Sequence, residues 1–402
     1  MSITTKIKSL HPGLLLILFI LLLSSCREES FSPSQADSFI KFFGLNHRDK
    51  GFDVKVMNDG GYILAGTTTT EDSGTDIVLI RTDRFGNEQW GPKQFGGTYD
   101  YHAYNLIKLS GGGFALAGST IVETEDQSLT SNMLLVRTNE QGDTLWTKNY
   151  GSNSNETAYN LAETSNGGFI LIGSTENIQT GQSDVLLVKT DSEGSVEWTR
   201  THLGGGVGTY IAETEDGFIY TGYTRIYAQA GQSNNNIFVV KTNSLGRVTF
   251  PYTYGGNGDD SGKSIFPLPE GGFILLGTIT NSFTGIKSIF LAKLGEDISS
   301  PEWIKTYGGQ ISHVAGSVKR SSEGNFIISG TQEISDNNHV IFLLKTDAVG
   351  NELFLKTYGG SGSQSAESLD LTSDGGYVIA GSNESGENSM ITLIKTKADG
   401  DL

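Results

Sequence analysis

The stretch "GYILAG" (61–66) decides the fold, because near-copies of it return along most of the chain. Each copy has an aromatic residue, three further residues and then a glycine, and successive copies lie 49 to 55 residues apart. The closing glycines of the seven copies are Gly66, Gly118, Gly173, Gly222, Gly277, Gly330 and Gly381. A repeat of this length is typical of proteins that stack or circle copies of one small unit.

Each repeat predicts four short strands. In the second repeat these are "AYNLIKLS" (103–110), "GFALAGST" (113–120), "NMLLVRT" (132–138) and "DTLWTKNYG" (143–151). Glycine, asparagine and aspartate stand in the tight turns, where the backbone needs a positive φ. Four antiparallel strands repeated seven times predict an all-β fold, a seven-bladed β-propeller of four-stranded antiparallel blades.

The fourth strand of most repeats carries a large aromatic residue. We predict that it packs as a wedge between adjacent blades rather than binding a ligand, because burying so large a ring stabilises a core. The residues are Trp90, Trp146, Trp198, Phe250, Trp303 and Phe354.

The segment "SFIKFFG" (38–44) has the pattern of a fourth strand, yet no repeat precedes it. It aligns with "LFLKTYGG" (353–360), whereas the seventh repeat stops at "KADGDL" (397–402) without a fourth strand of its own. We therefore predict that the N-terminal strand 38–44 completes the last blade and closes the ring. Closure would remove the open sheet edges that favour aggregation.

The first residues resemble a bacterial lipoprotein signal peptide. Lys6 and Lys8 precede the apolar run "LLLILFILLL" (14–23), and "LSSC" (23–26) ends it. The resemblance implies that Cys26, the only cysteine, is lipidated and becomes the first residue of the mature chain. The alternative is an ordinary secretory leader with an incidental cysteine.

Three regions follow from these patterns: a signal peptide (1–25), a lipidated cysteine with a polar tether (26–37) and the propeller (38–402). The repeats and the leader together resemble the β-propeller lipoproteins of Bacteroidetes, and more distantly quinoprotein and Kelch-like propellers. "REES" (27–30) resembles the export signal of surface lipoproteins in that group. The resemblance implies an outer-membrane lipoprotein, exposed at the cell surface. No cofactor is expected, because the chain lacks the greater length and the ligands of the eight-bladed quinoproteins.

The charge balance limits the partners. At a net charge of −17 the chain lacks the clustered lysine and arginine that phosphate binding requires, which argues against nucleic acid. We expect a monomer that meets the lipid membrane through its acyl anchor and binds a glycan or another envelope protein.

A candidate ligand-binding ring lies in the connections between blades. Two positions before a recurring small residue, six repeats carry Asp49, Tyr101, Glu156, Asp260, His313 and Gln364. If these side chains surround an axial opening, they could bind a small ligand or glycan; the alternative is that they cap loops. Tyr223 and Tyr227 are further candidates, as aromatics of the loop face. No metal site is expected, because acidic loops such as "NGDDSG" (257–262) lack the ligand spacing of a calcium loop.

These features predict a binding or scaffold module that uses its variable loop face. The scaffold alternative is like the propeller lipoprotein of outer-membrane assembly, which the chain resembles in anchor and architecture. The enzyme alternative is a glycan-cleaving hydrolase or lyase, for which Asp49, Glu156 and Asp260 could supply paired carboxylates. No motif of a catalytic serine, cysteine or metal centre is present, so no catalytic residue is assigned.

Overall fold

The computed structural model describes residues 37–44, 48–70, 74–124, 127–177, 181–202, 204–224, 234–335, 338–360 and 362–402. Within these ranges the chain is all β, with 28 strands. No helix in this part of the chain has the length and apolar character needed to cross a membrane. The predicted signal peptide, Cys26, the tether up to residue 36 and Tyr227 lie outside the described residues.

Five sheets each contain four consecutive antiparallel strands, paired in chain order. The first has β6 (Tyr101–Lys108), β7 (Phe114–Glu123), β8 (Leu129–Thr138) and β9 (Thr144–Tyr150). The second has β10 (Glu156–Glu163), β11 (Phe169–Asn177), β12 (Gln182–Thr190) and β13 (Val196–His202). The third has β14 (Gly206–Thr214), β15 (Gly217–Thr224), β16 (Asn236–Asn243) and β17 (Val248–Tyr254). The fourth has β18 (Ser261–Pro267), β19 (Phe273–Thr280), β20 (Lys287–Leu294) and β21 (Pro301–Gly308). The fifth has β22 (His313–Arg320), β23 (Phe326–Ser335), β24 (Asn338–Thr346) and β25 (Glu352–Tyr358).

The sixth sheet has eight strands, drawn from both ends of the described chain. They are β1 (Phe39–Phe43), β2 (Arg48–Val56), β3 (Tyr62–Thr70), β4 (Gly74–Thr82), β5 (Glu88–Phe95), β26 (Ser363–Leu371), β27 (Tyr377–Ser385) and β28 (Asn388–Thr396). Antiparallel pairing runs through β2-β3-β4-β5 and through β26-β27-β28-β1, and one parallel bridge, Arg48 with Ser389, joins the two groups. β1 pairs with β28 from Phe39 opposite Lys395 to Phe43 opposite Ile391. The predicted pairing of the N-terminal strand with the last repeat is therefore confirmed.

The closing glycine of the repeated stretch shapes the strand beside it. Gly118 lies opposite Ala103, and a β-bulge follows directly, between Ala103 and Asn105. A Cβ on Gly118 would lie 1.7 Å from the carbonyl oxygen of His102, so only glycine fits there. The same bulge follows the equivalent pair in all seven strands that open a group of four, which we call the opening strands: β2, β6, β10, β14, β18, β22 and β26. A bulge bends its strand and re-aims one side chain.

Buried apolar side chains hold neighbouring groups together. In the described part of the chain they form seven clusters, and each cluster draws on two consecutive groups. One of them joins the first group to the last, through residues such as Phe43, Val54 and Ile391. Each fully buried aliphatic or aromatic side chain contributes roughly 1.5–3 kcal/mol. The hydrophobic core is therefore divided among the spaces between sheets.

The tryptophans of the fourth strands pack between groups, as predicted. The Trp146 ring meets the Phe169 ring of the next group edge to face, with centroids 6.0 Å apart. It also covers Gly194, whose φ is +78°, and a Cβ there would lie 3.1 Å from the indole. Trp198 and Trp303 likewise lie against aromatic rings of the following group.

Phe250 departs from this pattern and is 42% exposed. The turn between β20 and β21 is longer than its counterparts, and Ile298 is buried there. The carbonyl of Ile298 accepts the hydroxyl of Tyr254, the bond that Gly194 accepts from Tyr150 in an earlier group. Ile298 therefore occupies the position that corresponds to Gly194, the glycine that Trp146 covers. Because Phe250 has no such glycine to pack on and is exposed, the wedge prediction is wrong at this position.

Candidate functional site

A cavity of about 490 Å³ lies where the opening strands meet. Its lining residues come from all seven opening strands and from no other described element. The bulge residue of every opening strand takes part. We call this set the bulge ring, and its members are Phe52, Tyr104, Tyr159, Thr209, Lys263, Gly316 and Glu367.

One side of the bulge ring is aromatic. The rings of Phe52 and Tyr104 meet edge to face with centroids 5.6 Å apart, and those of Tyr104 and Tyr159 are tilted at 5.4 Å. All three side chains are half-buried, so part of each remains accessible. We call them the aromatic arc. Such a surface suits the apolar face of a ligand that also carries polar groups.

The opposite side of the bulge ring carries an ion pair. Lys263 Nζ lies 3.2 Å from Glu367 Oε2, and their side chains are 37% and 36% exposed. The two residues belong to β18 and β26, whereas the bulge residue of the intervening β22 is Gly316. Because Gly316 has no side chain, it leaves room for the pair to form. The cavity is therefore apolar on one side and charged on the other.

Beside the bulge residue Phe52, Asp53 accepts hydrogen bonds from two other opening strands, β6 and β26. Its carboxylate accepts from Asn105 Nδ2 at 2.8 Å, from the Leu106 amide at 2.9 Å and from Ser368 Oγ at 2.5 Å. Lys55 Nζ lies 2.5 Å from the same carboxylate. Asp53 is only 3% exposed, so these partners offset the free-energy cost of burying its carboxylate.

Similar bonds continue from group to group. Asn105 Oδ1 accepts from the Leu161 amide, and Asn160 Oδ1 accepts from the Ile211 amide. Threonine and serine hydroxyls make the remaining links, at Thr209 with Gly262, Ala315 with Thr278, Ala366 with Thr331 and Gly51 with Ser382. Each pair of consecutive groups, the last and the first included, is joined by such a bond. The cavity wall is thereby held in position.

Two tyrosines of the cavity have raised pKa values. Burial raises the pKa of Tyr104, and the nearby Tyr159 adds to this, whereas a hydrogen bond with Ser119 opposes it. Burial also raises the pKa of Tyr210, with Lys55 opposing and Asp53 reinforcing the shift. Both phenols therefore stay protonated at neutral pH and can donate a hydrogen bond.

The predicted ligand-binding ring is placed differently from the expectation. Five of its six residues are at most 5% exposed, Tyr101 is half-buried, and none of the six lines the cavity. The expectation that they surround an axial opening is therefore corrected; that they bind a ligand stays a prediction. The five buried residues are Asp49, Glu156, Asp260, His313 and Gln364.

The contacts of Glu156 and Asp260 fit the loop-capping alternative. Glu156 accepts hydrogen bonds from the amide and hydroxyl of Ser152, at 3.2 and 2.7 Å, and from Thr175 Oγ1 at 3.0 Å. Asp260 accepts from the Gly256 and Thr280 amides at 2.7 and 2.8 Å. Ser152 and Gly256 belong to the connections that precede β10 and β18, so each carboxylate satisfies a backbone amide of the connection before its strand.

Of the two predicted loop-face aromatics, Tyr223 is described. It is half-buried on β15, and burial raises its pKa, with a smaller contribution from Tyr159. Tyr223 does not line the cavity. Among the described residues no group of three or more His, Cys, Asp or Glu is placed to hold a metal ion.

The sequence did not predict the bulge ring, because its residues do not follow the regular alternation of a strand. Six of its members lie three positions after a residue of the predicted ring, as Lys263 follows Asp260. Alternation with a period of two assigns residues to faces only where the ladder is regular, and the bulge interrupts it. The closing glycine of each repeat could have indicated the bulge. In every group this glycine lies against a backbone carbonyl of the opening strand, just before the bulge.

Comparison with models of known protein families gives no match, and comparison with curated proteins gives none either. Solved structures do resemble the chain. A protein of unknown function from Dyadobacter fermentans is 11% identical, with a TM-score of 0.51 over 89% of this chain and 97% of its own. A puromycin-hydrolysing peptidase from Mycobacterium tuberculosis is 11% identical, with a TM-score of 0.52 over 87% of this chain.

This chain matches only 51% of that peptidase. The β-propeller domain of the Trilobed protease from Pyrococcus furiosus is 10% identical, with a TM-score of 0.48 over 90% of this chain and 96% of that domain. At such identities a likeness concerns the fold alone. The described chain is a β-propeller, as shown by its strand order, its repeat and the cavity that all seven opening strands line.

Proposed function

We propose that the chain forms a closed propeller of seven blades. The count follows if the eight-stranded sheet is divided at its one parallel bridge, which leaves β26-β27-β28-β1 and β2-β3-β4-β5 as separate blades. Support comes from the apolar cluster and the hydrogen bonds that join the last group to the first. Such closure is how many propellers avoid an exposed sheet edge.

We further propose that this propeller is a binding module, and that its ligand is a glycan held in the central cavity. The observation that carries the proposal is the two-sided bulge ring, with the aromatic arc facing the Lys263–Glu367 pair. Sugars present an apolar face of C–H groups together with hydroxyls that donate and accept hydrogen bonds. Aromatic surface and a few convergent polar groups are what recognition of such a ligand uses.

We also propose that lipidated Cys26 attaches the protein to the outer membrane and that the protein is exposed at the cell surface. The leader motif "LSSC" (23–26) supports the anchor, and "REES" (27–30) supports surface exposure. A second envelope protein bound at the loop face is the scaffold alternative, which no described contact favours over the cavity.

Calorimetric titration of the purified protein with a panel of neutral and acidic oligosaccharides tests the binding proposal. We expect at least one glycan to bind, and Tyr159→Ala to weaken it about tenfold, because an aromatic contact is lost. Tyr252→Ala is the matched control, since Tyr252 is a partly exposed tyrosine outside the cavity.

Three outcomes decide the matter. Equal losses in both variants would place the ligand elsewhere, and absence of binding across the panel would refute the proposal. Release of a shortened saccharide during the titration would favour the hydrolase or lyase alternative.

A further inference from the structure

We infer that the glycan of the central cavity is acidic and carries a carboxylate, as a hexuronate does. This inference rests on the proposed glycan-binding function and names the chemical class of the ligand. The sugar rings would lie against the aromatic arc, while their carboxylates would meet Lys263 and Lys319, one lysine to each carboxylate, on the other side.

The charge of the cavity is the first observation. Its lining contains three lysines, at positions 55, 263 and 319, against two carboxylates, Asp53 and Glu367. The lining thus has one lysine more than it has carboxylates, in a chain whose net charge is −17, and a third carboxylate, that of Asp370, lies beside Lys319 outside the lining. A lysine excess in a concave, partly desolvated site attracts anions more strongly than the same charges would on an open surface.

The second observation is which lysines remain available. Lys55 is committed to Asp53 at 2.5 Å and its side chain is only 17% exposed. Lys319 is 35% exposed and lies 3.8 Å from Asp370. The Asp370 carboxylate already accepts from the Val56 and Leu371 amides, at 2.9 and 3.0 Å. The contact of Lys319 with Asp370 is therefore long, and Lys319 shares that carboxylate with two backbone amides.

Lys263 also retains donor capacity. Its contact with Glu367 Oε2 at 3.2 Å uses one of the three N–H bonds of the ammonium group, and the side chain is 37% exposed. Lys263 and Lys319 belong to the opening strands β18 and β22, which follow one another around the cavity. Both lysines line the same cavity, and each ammonium group retains donors for a carboxylate oxygen.

The third observation separates a uronate from a simple carboxylate. The aromatic arc supplies apolar surface that a small anion cannot use, and the 490 Å³ volume lies in the range of pockets that enclose ligands of several rings. A ring-bearing ligand with a carboxylate uses both sides of the cavity. A peptide ending in a carboxylate is the competing ligand, and the experiment includes it.

The test is calorimetry with digalacturonate, with its methyl ester and with a tripeptide that has a free carboxylate. The wild-type protein is expected to bind digalacturonate at least tenfold more tightly than the ester. Lys319→Met and the charge-balanced double variant Lys263→Met/Glu367→Gln should each reduce that preference about tenfold, and Lys319→Arg should restore it. Lys148→Met, which removes an exposed lysine of β9, should change nothing.

The outcomes separate this inference from the proposed function. Equal affinity for acid and ester, or an unchanged preference in both lysine variants, overturns the uronate while leaving glycan binding in place. Tighter binding of the peptide than of either sugar overturns both, as does failure of every saccharide to bind. Circular dichroism of each variant shows whether a loss reflects unfolding, and the Lys319→Arg rescue excludes a merely structural role.

Discussion

Single side chains join the opening strands of this propeller, and Asp53 is the clearest case. It belongs to the first group, yet it accepts hydrogen bonds from Asn105 and Leu106 of the second group and from Ser368 of the last. Hydrogen bonds to a buried charge are stronger than those between neutral groups. A substitution at Asp53 therefore affects two boundaries between groups together.

We predict that Asp53→Ala destabilises the protein by about 3 kcal/mol or more, because it leaves the half-buried Lys55 and the buried Leu106 amide without their partner. Urea denaturation followed by tryptophan fluorescence measures the change. Asp143→Ala is the control: Asp143 pairs with Lys93 on the surface, where both side chains are exposed. The idea fails if Asp53→Ala costs no more stability than Asp143→Ala.

Among the elements, the short strand β1 links the two ends of the described chain. Five residues pair with β28 at the opposite end of the chain, and Phe43 enters the apolar cluster between the first and last groups. Side chains alternate along a strand, so Phe43 is 7% exposed while its neighbour Phe42 is 44% exposed. The sequence alignment of 38–44 with 353–360 predicted this pairing, because the N-terminal segment has the same residue pattern as the fourth strands of the repeats.

The two phenylalanines provide a matched pair of variants. Phe43→Ala should lower the free energy of unfolding by about 3–5 kcal/mol, since it opens a cavity in a packed cluster. Phe42→Ala should lower it by less than about 1 kcal/mol. Thermal unfolding of both variants measures this, and similar melting temperatures for the two would contradict a stabilising role of β1 in the proposed closed ring.

For the whole molecule, the seven apolar clusters and the hydrogen bonds between groups repeat around one cavity. Stability is thus spread over many similar boundaries, whereas the lining of the cavity, the proposed ligand site, is not repeated. Its members differ from group to group, from Phe52 and Tyr104 to Lys263 and Gly316. A regular frame with a varied lining is a common way for a fold to carry a specific site.

The proposed attachment to a membrane also concerns the whole molecule. We predict that Cys26→Ser releases the protein from the membrane fraction and abolishes labelling by a clickable fatty acid, because the acyl chains would be attached to that thiol. Ser30→Ala, just beyond the leader motif, should remain labelled and membrane-bound. A wild-type protein that takes up no label, or a labelled Cys26→Ser variant, would contradict the anchor.

The sequence by itself determined the four-stranded repeat, the wedge tryptophans and the pairing of residues 38–44 with the last repeat. These depend on local patterns: turn glycines, alternating apolar residues and recurring aromatics. Only the tertiary structure decided which polar residues meet at the cavity. A bulge opposite each closing glycine re-aims one side chain per opening strand, so Lys263 lines the cavity while Asp260, three residues earlier, is buried against a loop. Periodicity cannot locate such a site, because the contact that accompanies each bulge lies between two strands rather than along one.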